Sequence, residues 1–508
     1  MIAKNRLFST LHTNHRPIAL AIALALSGGV VEAATMDVSG SCTLINAINN
    51  ANSNTDTDGA TGCPAGSGAD TLNLKAKSIY TLTAINNTTN GPNGLPVVTS
   101  VITINGNGAT VKRAGAAGTP NFRLLRIVNG NVTINDLRLS GGRVTGATDY
   151  GGGISNNGIL TLNNSTVSGN GALGASSSGS GILNGYGAVL TLNNSTVSGN
   201  SATGGGAIAD FGGTATITNS TISGNRAIGE TGGVGGLVNL GNMKLTNSTI
   251  SGNSSTSPTN YGTGGIQNSG TMTLVHSTVS NNSIAHGNVA GIQNGGTMTL
   301  TNTLVANSQG GADCYSYMGG SGNPPAVTTF QGVNIVEDGT CGLPPSPPLN
   351  LGALLDNGGP TLTRALLTGS PAIDKAAKAL CKANDQRNIK RPQPAAGNCD
   401  IGAYERLTTV ATSVASIVQF FDAQVASGGI VGVESFTIQK RNAVRNQLLA
   451  AGHYRSQNLT ALACSQLGRT RNRIDPDLTP DLNDYVTGSS GDELIAQINT
   501  LRTNWACN

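Results

Sequence analysis

Aromatic residues make up only 3% of the 508-residue chain, and charged residues only 11%. The charged share is less than half that of an ordinary globular protein. With net charge +4, there is no basic surface dense enough to read as a nucleic-acid or acidic-lipid partner. Carboxylates are scarcest in the middle. Between Gly151 and Gly310 only Asp210 and Glu230 occur, with Arg226 and Lys244 as the cations, and no Asp-Asp pair exists anywhere. The central region also lacks cysteine and any helical period. After Leu26, no run is apolar enough to span a bilayer. Low charge with abundant Gly, Asn, Ser and Thr would fit disorder, were it not for the ordered apolar columns described next.

What the middle has is self-similarity. Asn-Ser-Thr-Val-Ser-Gly-Asn stands at Asn164–Asn170 and Asn194–Asn200, with Ile for Val at Asn219–Asn225 and Asn247–Asn253. A degenerate copy spans His276–Asn282 and a fainter one begins at Asn302. A repeat of roughly 25–30 residues marks a solenoid. Aligning the copies gives inward columns. One holds Leu160, Leu190, Ala215, Met243, Met272 and Met298; the next holds Leu162, Leu192, Ile217, Leu245, Leu274 and Leu300. Val167, Val197, Ile222, Ile250, Val279 and Val305 form a third, and Ile154, Ile182, Ile208, Leu237, Ile266 and Ile292 a fourth. Alternation with Thr and Asn is the period of a strand with one buried face, and its parity switches at Asn-Ser-Thr, where the chain must bend. Gly151–Gly153, Gly204–Gly206 and Gly264–Gly265 supply further corners.

Stacking such units predicts a parallel β-helix, right-handed because crossover connections have that hand. The column Asn164, Asn194, Asn219 and Asn247, interrupted by His276 and resumed at Asn302, reads as an Asn ladder satisfying the bend backbone rather than a ligand site. That also accounts for Asn-Ser-Thr better than glycosylation does. Asn105 and Asn135 extend the column upstream. Eight coils are legible, and Thr71–Thr83 and Val327–Val336 are candidates for more. Ten rungs at about 4.8 Å make a rod about 45 Å long.

The termini differ. Lys4, Arg6 and Arg16, the apolar run Ile18–Leu26, and Val31-Glu32-Ala33 before Ala34 form an export signal, residues 1–33. Its removal takes away three positive charges and Glu32, leaving a net charge of +2. The eight cysteines all lie outside the clear repeats, and an even number behind an export signal reads as disulfides. Nearest-neighbour pairing gives Cys42–Cys63, Cys314–Cys341, Cys381–Cys399 and Cys464–Cys507, bracing the ends of the rod. Beyond Arg406, helix-spaced apolar residues at Val410–Val425, Phe436–Ala451, Leu459–Leu467 and Glu493–Leu501 predict a small α-helical domain, with stops at Gly428–Gly429 and Gly452.

Three stretches carry a family resemblance. Cys42-Thr-Leu-Ile-Asn-Ala-Ile-Asn-Asn-Ala-Asn52 resembles the N-terminal motif of bacterial CSLREA-domain proteins, with Ile45 and Asn46 where that family has Arg and Glu. Gly205–Ile208 resembles the Gly-Gly-Ala-Ile repeat of polymorphic outer-membrane proteins. Leu355–Thr363, Gly369–Asp374, Asp385-Gln-Arg387, Arg391-Pro392 and Cys399–Glu405 resemble, in order, the choice-of-anchor Q domain. The resemblance implies a mainly β protein, a right-handed single-stranded parallel β-helix of pectate-lyase-like type, exported to the bacterial surface. The expected organisation is residues 34–100 as N-terminal cap and first coil, 101–336 as repeats, 337–406 as C-terminal cap and 407–508 as the helical domain.

Several residues invite a chemical reading. Glycosidic hydrolysis needs two carboxylates on one bond, and Asp210 with Glu230 is the pair the repeats offer. Asp136, Arg138 and Arg143 form a further cluster, read as a surface ion pair. His276 and His286 lack a third metal ligand in sequence. Asn54-Thr-Asp56 and His286-Gly287 are isolated fragments of a polygalacturonase-like signature. Asp475, Asp477, Asp481 and Asp484 read as helix caps and a solvated turn. Thr214 with Thr216, Thr271 with Thr273 and Thr297 with Thr299 would display outward pairs, broken by Ile159, Val189, Asn242 and Lys244. The expectation is therefore a non-catalytic surface or secreted rod for adhesion to an extracellular glycan or cell-surface partner, with no catalytic residue, metal or cofactor assigned. A polysaccharide lyase or glycoside hydrolase is the alternative, and ice binding by the Thr pairs a remote third.

Overall fold

The computed structural model describes residues 32–507 apart from 58, 60–61, 148, 231, 259–261, 320–323, 368, 394–396, 407–412, 434–436, 476–483 and 489. Nearly all of the expected export signal thus lies outside the described residues, as do Asp477 and Asp481.

Each coil is a short circuit of strands. One runs Ile182–Asn184, Val189–Asn193, Thr196–Ser198 and Ser201–Ala202; the next runs Ile208–Asp210, Thr214–Thr218, Thr221–Ser223 and Arg226–Ala227. Like strands pair in parallel, Leu192 on Ile217, Val197 on Ile222 and Ile182 on Ile208. The result is a parallel β-solenoid. All four inward columns are buried. The rod also starts earlier than the repeats, because Thr35–Val38 pairs with Thr71–Leu74. The outer coils are present too: Ala69–Leu74 stacks on Val101–Asn105, and Val327–Gln331 on Thr297–Thr301.

The bend explains the first Asn of each motif. Asn164, Asn194, Asn219, Asn247, His276 and Asn302 have φ of 50, 50, 50, 46, 45 and 47°. That left-handed conformation is one that Asn tolerates better than most side chains. The ladders lie elsewhere in the motif, which corrects the sequence reading. Asn105 and Asn135 stack with Asn163 and Asn193, one residue before the bend, and Asp136 takes the bend position with φ 48°. The fully buried ladder is formed by the last Asn of each motif: Asn170, Asn200, Asn225, Asn253 and Asn282. There the amide nitrogen of Asn200 donates to Asn225 Oδ1 (3.0 Å) and to the Val167 carbonyl (3.1 Å), while its backbone N–H donates to the same Oδ1 (2.9 Å). A buried Ser ladder runs beside it, Ser165 N–H to Ser195 Oγ, Ser195 to Ser220 and Ser220 to Ser248.

A helix the sequence reading did not anticipate closes the N-terminal end. Helix α1 (Leu44–Ser53) is capped by Thr43, whose Oγ1 accepts from Asn46 N–H. It buries Leu44, Ala47, Ile48 and Ala51 against the core that includes Met36 and Leu72. That spacing was visible in the sequence. At the other end Phe330, Cys341 and Leu343 pack on the core.

Part of the segment after Leu349 runs along the flank of the rod. Thr361 Oγ1 donates to the Asn219 carbonyl, Asn247 Nδ2 to the Asn384 carbonyl, and Gly402 N–H to the Asn302 carbonyl. Gln386 is fully buried there, accepting from Thr249 Oγ1 (2.6 Å) and donating to Thr221 and Thr361 Oγ1.

Beyond it come α2 (Val414–Ser427), α3 (Thr437–Ser456), α4 (Thr460–Arg471) and α5 (Gly491–Asn504), with their own core of Ile417, Phe421, Val444, Leu448, Leu467, Leu494, Ile498 and Leu501. Gly428 stops α2 with φ 82°. Gly452 does not stop α3. It lies inside that helix, where an added Cβ would stand 3.2 Å from Val414. Arg406 ties the flank to the helices through Glu493 (3.3 Å) and Asp492 (3.6 Å).

All eight cysteines are paired in the nearest-neighbour scheme. The third bridge braces the flank beside His276 rather than an end of the rod. The fourth closes a 43-residue separation from α4 to the chain end. Removing it as Cys464→Ser/Cys507→Ser is expected to cost the helical domain about 4 kcal/mol by loop-closure entropy. The helical circular-dichroism signal should then melt well before the β signal; unchanged, coincident melting would refute this.

Candidate functional site

Asp210 and Glu230, the one carboxylate pair the repeats offered, diverge. Glu230 is exposed and Asp210 is fully buried. Asp210 belongs to an inward column with Asn156, Asn184, Asn239, Asn268 and Asn294. In that column each amide nitrogen donates to the next Oδ1: Asn156 to Asn184 (2.8 Å), Asn184 to Asp210 (2.7 Å), Asn239 to Asn268 (2.7 Å). Asp210 Oδ1 also accepts from Gly213 N–H, but Oδ2, where an amide nitrogen would continue the ladder, has no partner. Burial raises the Asp210 pKa, opposed by the Asn184 and Gly213 donors.

A protonated Asp210 can donate as the missing amide would. The folded state therefore holds a proton that the unfolded chain releases above its ordinary 3.8. This stability is complete below that value and lost as pH rises through the folded pKa. Asp210→Asn is accordingly expected to stabilise the protein by about 1–3 kcal/mol at neutral pH. The gain should vanish in acid. Urea unfolding at both pH values measures it, and a pH-independent difference would contradict the ladder role.

The other candidates resolve into structural parts. Among the described residues the ion pairs do not include Asp136, Arg138 or Arg143; Asp136 is a bend residue. Asn54 ends α1 in a left-handed conformation and accepts from Gly68 N–H, and Asp56 accepts from Gly59 N–H. His286 is exposed, whereas His276 is buried with the Cys381–Cys399 bridge, its Nε2 3.9 Å from Cys399 Sγ. The sequence reading found no cysteine near it because that contact spans more than a hundred residues. Burial, with Arg391 nearby, holds the His276 pKa down to about 3, so the ring is neutral. Both cysteines are committed to the disulfide, which leaves no thiolate beside the ring to bind a metal. Asp475 is buried and accepts from Thr487 Oγ1. The outward Thr column runs Thr191, Thr216, Lys244, Thr273 and Thr299 in register, interrupted by the lysine as expected.

A feature that the sequence did not reveal is a groove on the narrow sheet. Its outward column is Arg143, Gly171, Ser201 and Arg226, paired rung by rung, while Val144, Ala172, Ala202 and Ala227 point inward. The groove has a volume of about 320 Å³ and is lined by Arg113, Arg143, Asn170, Leu173, Ser201, Ile228 and the backbones of Gly141, Gly142, Gly169, Gly171 and Gly199. No carboxylate lines it. Arg113 is fixed by the loop it supports, Nε donating to the Pro120 carbonyl (2.7 Å) and Nη2 to that of Thr119 (2.6 Å). Burial and the nearby positive charge of Arg143 lower its pKa.

No protein-family model and no curated protein sequence matches the chain. Among solved structures the fold is similar to pectate lyase Pel9A, with 15% identity and a TM-score of 0.38, over 74% of this chain and 98% of that one. Neither figure bears on activity.

Proposed function

We propose that this is an exported, non-catalytic β-solenoid of the bacterial cell surface or surroundings, serving adhesion or interaction with an extracellular glycan or cell-surface partner. We further place it with the choice-of-anchor Q and CSLREA-type proteins. In support, the stretches that resemble the choice-of-anchor Q domain meet in one buried assembly: Arg387 pairs with Asp385, Arg391 with Glu405, and Gln386 seals the rod's flank. Four disulfides fit an oxidising compartment. No helix among the described residues is long and apolar enough to cross a membrane.

The observation that carries the reading is the inward position of Asp210. Between Gly151 and Gly310 it leaves Glu230 as the one surface carboxylate, on a rod whose outward columns display Thr, Ser, Asn and Gly. Such a face suits extended polar contact. The test is to incubate the exported chain with immobilised uronate and neutral polysaccharides, with and without calcium. Retention on a polysaccharide without release of soluble sugar is expected. Release of oligosaccharide would overturn the reading in favour of a lyase or hydrolase.

A further inference from the structure

We infer that the groove between Arg143 and Arg226 binds a polyuronate, a linear polysaccharide bearing a carboxylate on each sugar. The inference rests on the interaction reading above and names its ligand.

The groove gathers positive charge with no carboxylate among its lining residues. Arg113 and Arg143 face one opening, and Arg226 continues the outward column, three rungs from Arg143. At about 4.8 Å per rung, Arg143 and Arg226 stand about 14 Å apart along the rod. Like charges brought together with no carboxylate among the lining residues raise the local potential and draw an anion. Arg113 is held in place by the carbonyls of Ala114, Thr119 and Pro120 and by Asn121 Oδ1, so it contributes fixed positive charge, and the bidentate contacts to carboxylates fall to Arg143 and Arg226.

The floor and walls select the kind of anion. The floor between the end charges is Gly171 and Ser201, so a chain lying along the column meets backbone and one hydroxyl. Leu173 and Ile228 supply apolar wall, and Ile228 is 42% exposed. Sugars match this combination: hydroxyls for the polar floor, C–H faces for the aliphatic walls, and carboxylates for guanidinium groups, which bind them bidentately. Carboxylates that recur at every sugar suit charges that recur along a stack of rungs. A single-stranded nucleic acid would need aromatic faces for its bases, and none lines the groove.

The test uses the full exported chain in affinity electrophoresis through gels containing polygalacturonate, heparin or dextran. The groove variant is Arg143→Glu/Arg226→Glu. The matched control is Arg469→Glu/Arg471→Glu, which makes the same charge change on exposed residues of α4. Thermal melting verifies that both remain folded. Polygalacturonate should retard the wild type and the control, dextran neither. The groove variant should bind at least about tenfold more weakly, and added salt should weaken what remains. Equal losses in groove variant and control would overturn the inference, as would retention of affinity by the groove variant. Binding to heparin but not polygalacturonate would overturn the uronate assignment. Failure to bind any of the three would overturn the groove while leaving the interaction reading intact, whereas shortening of the polygalacturonate would overturn that reading itself.

Discussion

Replacing Asn225 with Ala is expected to lower the stability of the solenoid by about 3–5 kcal/mol, the sum of several buried groups left without partners. Asn225 Oδ1 accepts both the backbone and the side-chain N–H of Asn200 (2.9 and 3.0 Å). Its Nδ2 donates to the Val197 carbonyl (3.0 Å) and to Asn253 Oδ1 (2.8 Å). Both acceptor sites and both donors of the amide are therefore used, with no water exposure. Alanine removes all four bonds at once. Asn225→Asp keeps the two accepted bonds but loses the donors and places a charge in the ladder, so it should also be severely destabilising. Urea unfolding followed by circular dichroism measures both. A loss under about 0.5 kcal/mol, typical of a surface site, would mean that the ladder does not hold the coils together.

Arg391→Met is expected to cost about 3–5 kcal/mol, because it leaves the Glu405 carboxylate buried without its cation. Arg391 Nη1 donates to Glu405 Oε2 (2.9 Å) and to the Asp400 carbonyl (2.8 Å), and Nη2 to the Gly402 carbonyl (2.8 Å). Neither side chain of the pair is exposed. Glu405 also accepts from Asp400 and Gln393 N–H, so the pair organises the whole turn that follows Cys399. The consequence is local. The flank segment should become protease-sensitive while the coils stay folded. Adding Glu405→Gln should restore part of the loss, since it removes the stranded charge. A double variant as damaged as the sum of its singles would show that the two residues act independently.

The parts of the fold legible in the sequence were those in which side-chain period and coil length agree. Leu160 to Met298 and Ile154 to Ile292 could be aligned because each coil returns the same residue type to the same inward direction. The Asn columns were misassigned by one and six positions for a physical reason. Asn is favoured both where the backbone turns left-handed, as at Asn164, and where stacked amides need two donors and two acceptors, as at Asn170. Composition does not separate the two roles; φ does. Asp210 could have been recognised by alignment with Asn184 and Asn239, since an acid in an amide column reads as an inward group.

The flank was illegible because its contacts are remote. Thr249 meets Gln386 across 137 residues. The groove was hidden by unequal coil lengths. Arg143 appeared to belong with Asp136 and Arg138, its neighbours in sequence, whereas pairing places it on Gly171 and in the column that leads to Arg226.

The central proposal is a rod that holds an extracellular polymer without cutting it. Light scattering of polygalacturonate through a gel-filtration column, before and after prolonged incubation with the purified protein, with and without calcium, tests this on one sample. Polymer of unchanged mass is expected, with the protein eluting alongside it. A falling polymer mass, abolished by Asp210→Ala or Asp136→Ala, would contradict it.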